Sequence, residues 1–264
     1  MELRQNTLLP VKGGLTGFQM KWIGIILMVV DHIHQMFYLQ GVPDWFNWLG
    51  RPVAVIFMFL CAEGFYYTKN KKRYALQLLI GYWAMGLIST LLEAKMPLED
   101  VALMNNIFGT LLVSVLYMAL FDLWRPGAGT RVRTKILSVV AMVALAFVGA
   151  LPLLMTDILP YQVIIVILRF VPCVIVVEGG ALLVAMAVLF YYLRGSRLLQ
   201  ILVIAAISAI SYFTMGGAQW LMVFAIIPIL LYNGQKGRGS KYFFYIFYPA
   251  HIYLLYIIAF VVTV

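Results

Sequence analysis

Nine stretches of this sequence, roughly 17–38, 50–68, 74–92, 105–123, 133–152, 177–194, 198–215, 217–232 and 241–263, are apolar almost throughout. Charged or Gly/Pro-rich breaks separate them. Each approaches the about 20 helical residues that cross a hydrocarbon core about 30 Å thick. Backbone polar groups in lipid must bond within their own segment, so such runs fold as helices. The expected fold is an all-α polytopic membrane bundle of about nine transmembrane helices. Composition agrees: 64% of the 264 residues are hydrophobic and 11% charged, against about 25% charged in a soluble domain. That excludes a water-soluble enzyme, a disordered chain and a disulfide-stapled secreted module. Cys61 and Cys173 lie in apolar runs and read as small buried hydrophobes. No Cys/His spacing suggests a metal site. No short hydrophobic core with a small-residue cleavage site opens the sequence, so the first long run is expected to be a retained span.

Charge placement orients the bundle. Sixteen of the nineteen Lys and Arg residues fall in five groups: Arg4, Lys12 and Lys21; Lys69 to Arg73; Arg125 to Lys135; Arg194 and Arg197; and Lys236, Arg238 and Lys241. With nine spans all five lie on one side, which the positive-inside rule makes cytoplasmic, together with the N-terminus. Arg51, Lys95 and Arg169 are the remainder, and Asp44, Glu93, Glu99, Asp100 and Asp157 gather opposite. The parity requires that a tenth apolar stretch, 158–175, broken by Arg169 and Pro172, be re-entrant or interfacial. Membrane lipids are the default partner of the net charge of +9. The basic groups sit in short tight loops, so nucleic acid is not expected. With no long linker or internal repeat, residues 1–264 are expected to form a single domain.

An ionisable group near a helix centre costs about 2.5–3.5 kcal/mol, so each such residue needs a reason. The first span, KWIGIILMVVDHIHQMF, carries Lys21, Asp31, His32 and His34. Lys21 and His32 are eleven residues apart, hence about 20° out of register on one helix face and about 16 Å apart along the axis. His32 is a candidate general base, with Asp31 to orient it or steady its imidazolium. A hydrogen-bonded structural histidine pair near the outer interface is the alternative. The second span opens at Arg51-Pro52 and contains Glu63-Gly64, whose carboxylate faces either the Lys69–Arg73 group or a substrate. The fourth begins Asn105-Asn106 and includes Thr110; the sixth opens Glu178-Gly179-Gly180. The last contains Tyr248-Pro249-Ala250-His251, where a kink at Pro249 is expected to expose backbone near His251.

Four stretches, KWIGIILMVVDHIHQMF, GRPVAVIFMFLCAEGFYYTKNKKRYALQLL, NNIFGTLL and KYFFYIFYPAHIYLLYI, resemble the TraX family of membrane proteins. They cover both ends and the first half of the chain, in order. The family is named after a conjugation protein implicated in N-terminal acetylation of pilin. It is grouped with transmembrane acyltransferases, including the acyltransferase-three proteins. Those typically carry Arg-x10-His in their first span, which appears here as Lys21-x10-His32.

The resemblance implies an enzyme of the bacterial inner membrane that moves an acetyl or other acyl group from cytoplasmic acyl-CoA. The acceptor would be a hydroxyl or amine at the extracytoplasmic side, on a peptide, pilin or glycan. It implies acetyl-CoA as donor and no metal. His32 and Asp31 are then the catalytic candidates. Lys21, Lys71, Lys72 and Arg73 are the candidates for holding the polyanionic CoA. His34, Arg51, Glu63, Asn106 and His251 are candidates for facing the acceptor or for stabilising the oxyanion. Two other classes stay open. One is a proton-coupled transporter using Asp31, His32, Glu63 and Glu178, with a broken helix near Pro172 and Gly179. The other is a non-catalytic envelope or conjugation assembly protein.

Overall fold

The computed structural model describes residues 13–104, 106–214, 216–239 and 241–263, with only the backbone of Lys241. Arg4, Lys12 and Asn105 lie outside the described residues. The described residues form ten α-helices in order: α1 Gly17–Phe37, α2 Trp45–Tyr67, α3 Lys71–Lys95, α4 Ile107–Asp122, α5 Val132–Phe147, α6 Tyr161–Phe170, α7 Gly180–Tyr192, α8 Arg197–Thr214, α9 Ile226–Leu230 and α10 Lys241–Thr263. Short 3-10 segments extend α1 and α5 and precede α9. Among the described residues there is no strand beyond a single bridge, Leu15 to Tyr232. Six helical segments among the described residues are long and apolar enough to cross a membrane: Gly17–Gln40, Trp45–Tyr67, Lys71–Lys95, Val132–Leu154, Arg197–Thr214 and Tyr242–Thr263. Their outward faces carry Ile26, Leu87, Val140, Phe213 and Leu254, all exposed. Such apolar surface is costly in water and costs nothing against lipid tails. The protein is a multi-pass, all-helical membrane protein.

Three apolar runs of the sequence fold as helices shorter than the runs themselves. In 105–123 the helix starts only after Asn106, whose φ of −148° and ψ of 78° are not helical, leaving sixteen residues in α4. In 177–194, Gly179 and Gly180 adopt left-handed φ of 70° and 51°, so thirteen helical residues remain in α7. In 217–232 a 3-10 segment precedes the five-residue α9. Hydropathy counts apolar residues and is blind to where the helical φ/ψ begins. In 158–175, α6 has ten residues, about 15 Å of rise.

The described residues fall into two compact units: those within 1–60, 89–103 and 192–264, and those within 61–88 and 104–191. In the first, the N-terminal N–H groups of α1 are satisfied in full. Thr16 and Gln19 form a reciprocal capping box, and the N–H groups of Gly17 and Phe18 donate to the carbonyls of Gln235 and Lys236 at 2.8 and 3.0 Å. A basic loop of the C-terminal region is thereby fastened to the first turn of α1. The helices α1 and α10 then run side by side in parallel. Phe18 and Trp22 meet Phe244 and Phe243 near the helix starts, His32 meets His251 midway, and Gln40 reaches Thr263 at the far end.

In the second unit, side chains of α3 cap the C-terminus of α6. Tyr82 Oη donates to the Leu168 carbonyl at 3.1 Å and Trp83 Nε1 to that of Phe170 at 2.9 Å. The chain after α6 folds back on the end of α5, where Val174 N–H donates to the Leu145 carbonyl at 2.9 Å. Gly149 permits this approach, because a Cβ there would overlap the Val171 carbonyl and press on Cys173. The collision is with backbone, which cannot rotate away. Gly149→Ala is expected to destabilise the protein by about 1–3 kcal/mol or more, read as a lower unfolding midpoint of the purified protein in detergent.

Candidate functional site

The polar groups of the first unit sort by helix face. Residues 31 and 32 are about 100° apart around α1, so Asp31 and His32 address different neighbours. The Asp31 carboxylate accepts from Gln35 Nε2 at 3.0 Å, Asn47 Nδ2 at 3.3 Å and Arg51 Nη2 at 3.4 Å. Arg51 also donates to Gln219 Oε1 at 3.0 Å and to the Asn47 carbonyl at 3.2 Å. This places a partly buried ion pair where α2 begins. Gly50 is required beside it, because a Cβ would occupy the position of the carboxylate. His34 reaches Asp44 at 3.2 Å at the exposed rim.

His32 turns toward α10. Its Nδ1 lies 2.7 Å from Nε2 of His251, and both residues are buried, 4% and 7% exposed. The ring planes are 25° apart with centroids separated by 4.9 Å, so the rings meet edge to edge through this bond. His251 Nδ1 lies 2.9 Å from the Phe247 carbonyl, one helical turn back, and Phe247 stacks on the His251 ring at 5.1 Å. The Tyr248 ring lies 6.5 Å from His32. The helix continues through Pro249 without a break. Two histidines 219 residues apart thus form one pair in an otherwise apolar stretch.

Lys21, about 16 Å from His32 on the same face, places its ammonium 5.1 Å from the Phe244 ring. The loop fastened to α1 brings exposed Lys236 and Arg238 to that end of the unit. Also in this unit is buried Arg197, with Gln200 Oε1 at 2.8 Å and the Phe59 ring at 4.8 Å.

The remaining sequence candidates lie in the second unit. Lys71 pairs with Asp122 at 2.7 Å, and Asp122 also accepts from Arg125 and Tyr191. Lys71 further lies over the Phe65 ring at 4.3 Å. These contacts hold the ends of α2, α3, α4 and α7 together. Lys72 and Arg73 are exposed and Glu63 is buried. Asn106 donates to the Tyr82 carbonyl at 3.0 Å. Asp122, Gln219, Asn47 and Arg197 were absent from the sequence candidates. Asp122 sits next to a basic loop and Gln219 interrupts an apolar run, so both carried a signal in their polarity alone. Among the described residues no group of three His, Cys, Asp or Glu side chains is placed to hold a metal ion.

These features define a class: multi-pass helical membrane proteins with a buried histidine pair between parallel first and last spans. The chain belongs to the TraX protein family, whose model matches residues 16–259. It is also similar to a probable fimbrial assembly protein, FimC of serogroup H1, from Dichelobacter nodosus. That relative is 28% identical over 262 aligned residues, covering 91% of this chain and 94% of its own. No solved structure matches the chain.

Proposed function

We propose that the protein is an inner-membrane acyltransferase that moves an acetyl or other acyl group from cytoplasmic acyl-CoA to a hydroxyl or amine at the extracytoplasmic side, with His32 as general base. The observation that carries this reading is the His32–His251 pair buried in an apolar helix pair, with a cation, Lys21, on the same face of α1. A neutral imidazole has a lone pair with which to take a proton from an attacking hydroxyl or amine. The parallel packing of α1 and α10 supports an odd number of crossings, as in a nine-span chain, with α6 not crossing. Six crossings alone would leave the first and last spans antiparallel. The basic loops support a cytoplasmic side for the N-terminus and the Lys21 end.

The donor's phosphates need cations at that end. Lys71 is engaged with Asp122, so Lys21, Lys236 and Arg238 form the proposed handle, all in the unit that holds His32. Arg51, partly buried near Asp31, is the proposed group facing the acceptor or the oxyanion. The name of the FimC relative supports a fimbrial or pilus subunit as the acceptor.

Acetyl-CoA is expected to raise the unfolding midpoint of the purified protein. The Lys236→Ala, Arg238→Ala double variant is expected to weaken this response about tenfold in concentration, a loss of about 1.4 kcal/mol of binding. Added to inverted membrane vesicles, acetyl-CoA labelled in its acetyl group should pass label to an envelope component. Absence of both the shift and the label transfer overturns the reading. Proton-driven solute uptake into liposomes without CoA would favour a transporter instead.

A further inference from the structure

The hydrogens of the histidine pair follow from a single carbonyl. The Phe247 oxygen can only accept, so the His251 nitrogen 2.9 Å away, Nδ1, carries a hydrogen and donates it. A neutral imidazole has one such hydrogen, which leaves His251 Nε2 as an acceptor. That atom lies 2.7 Å from His32 Nδ1, so His32 Nδ1 carries the hydrogen and donates. The lone pair of His32 then resides on Nε2. The edge-to-edge geometry, with ring planes 25° apart, aligns the N–H of one ring with the lone pair of the other. One carbonyl of α10 therefore sets the tautomer of a histidine on α1.

We propose that His251 is a positioning residue that locks His32 in the Nδ1–H tautomer and so makes Nε2 its basic atom. The catalytic consequence rests on the acyl-transfer reading. In that reaction His32 Nε2 takes the proton from the acceptor's O–H or N–H as the acceptor atom bonds to the thioester carbon. The carbon–sulfur bond then breaks, and the departing thiolate takes the proton from His32 Nε2, giving free CoA thiol and restoring the base. While His32 is an imidazolium, its Nδ1–H bond to His251 strengthens. His251 does what the carboxylate does in a Ser-His-Asp triad, orienting the ring and steadying its charge. It does so as a neutral acceptor, which avoids burying an anion in the membrane interior. The assignment also removes His251 from the oxyanion candidates, because its one hydrogen is committed to Phe247.

The tautomer is measurable without any assay of activity. The chain contains three histidines, so 15N-histidine labelling of the full protein in nanodiscs gives a spectrum assignable with His34→Gln and His251→Gln. Ring 15N shifts should place the hydrogen on Nδ1 in both His32 and His251. In His251→Phe the His32 hydrogen should move to Nε2. In His251→Gln the amide oxygen can accept from Nδ1–H, and the original tautomer should return. Acetyl transfer from labelled acetyl-CoA in inverted vesicles should fall about 100-fold or more in kcat for His251→Phe. The KM for acetyl-CoA should change less than about twofold, and His251→Gln should recover much of the rate. Hydrogen on Nε2 of His32 in the wild-type protein overturns the proposal, as does a His32 spectrum indifferent to His251→Phe. Expected tautomers in a wild-type protein that transfers no acetyl group would leave the dyad standing and reject the acyltransferase reading.

Discussion

Replacing His32 by glutamine is expected to lower acetyl transfer by about 10² to 10⁴, the usual contribution of a general base, while the protein still accumulates in the membrane. Glutamine is the cleaner choice than alanine. Its amide N–H can still donate to His251 Nε2 across the contact that spans 2.7 Å in the native pair, but an amide has no basic lone pair for the acceptor's proton. Alanine removes both, and it strands a buried acceptor at a cost of about 1–3 kcal/mol. Loss of label transfer in both variants, with an unfolding midpoint near wild type for glutamine, isolates the chemistry from the fold. Full activity in His32→Gln would remove His32 from the mechanism. An assembly protein without catalysis predicts the opposite pattern. Fimbrial or pilus assembly would then survive His32→Gln and fail only when the whole protein is absent.

The sequence disclosed one side of this site and concealed the other. Helical periodicity alone aligns Lys21 with His32, because eleven residues are three turns. It also places Asp31 on a different face from His32, and the structure gives that face to Asn47 and Arg51. The partner of His32 is 219 residues away in sequence, and no local pattern encodes a contact between first and last helices. The capping box Thr16-x-x-Gln19 is a sequence-level signal. Its second half, the carbonyls of Gln235 and Lys236 on the same helix end, comes from tertiary structure. Lys71 illustrates the reverse problem. Its position in a basic group suggests a ligand cation, whereas Asp122, at the end of another helix, engages it. Among the described residues, six of the nine apolar runs coincide with segments long enough to cross a membrane, and the other three hold shorter helices. Gly179 and Gly180 show why: both are compatible with an apolar window, yet their left-handed φ starts α7 late.

The pair of Arg51 and Asp31 should prove energetically coupled, and a double-mutant cycle measures it. Asp31 is 14% and Arg51 24% exposed at the side chain, with 3.4 Å between the charged groups. Removing one member of a fully buried pair costs about 3–5 kcal/mol, because the other charge is left uncompensated. Here Gln35 and Asn47 still donate to the carboxylate, so Arg51→Met is expected to cost about 2–4 kcal/mol. Asp31→Asn should cost less, about 1–2 kcal/mol, because Arg51 keeps Gln219 and the Asn47 carbonyl and its long side chain can shift outward. With both changes no buried charge remains, so the double variant should be more stable than the sum of the single losses by at least about 1 kcal/mol. Unfolding midpoints of the four proteins in the same detergent give the comparison, and simple additivity would reject the ion pair. The cycle also separates two uses of Arg51. A residue that only neutralises Asp31 becomes dispensable once Asp31 is neutral, so acetyl transfer would return in the double variant. An arginine that faces the acceptor or the oxyanion stays necessary, and transfer should remain low although stability has recovered.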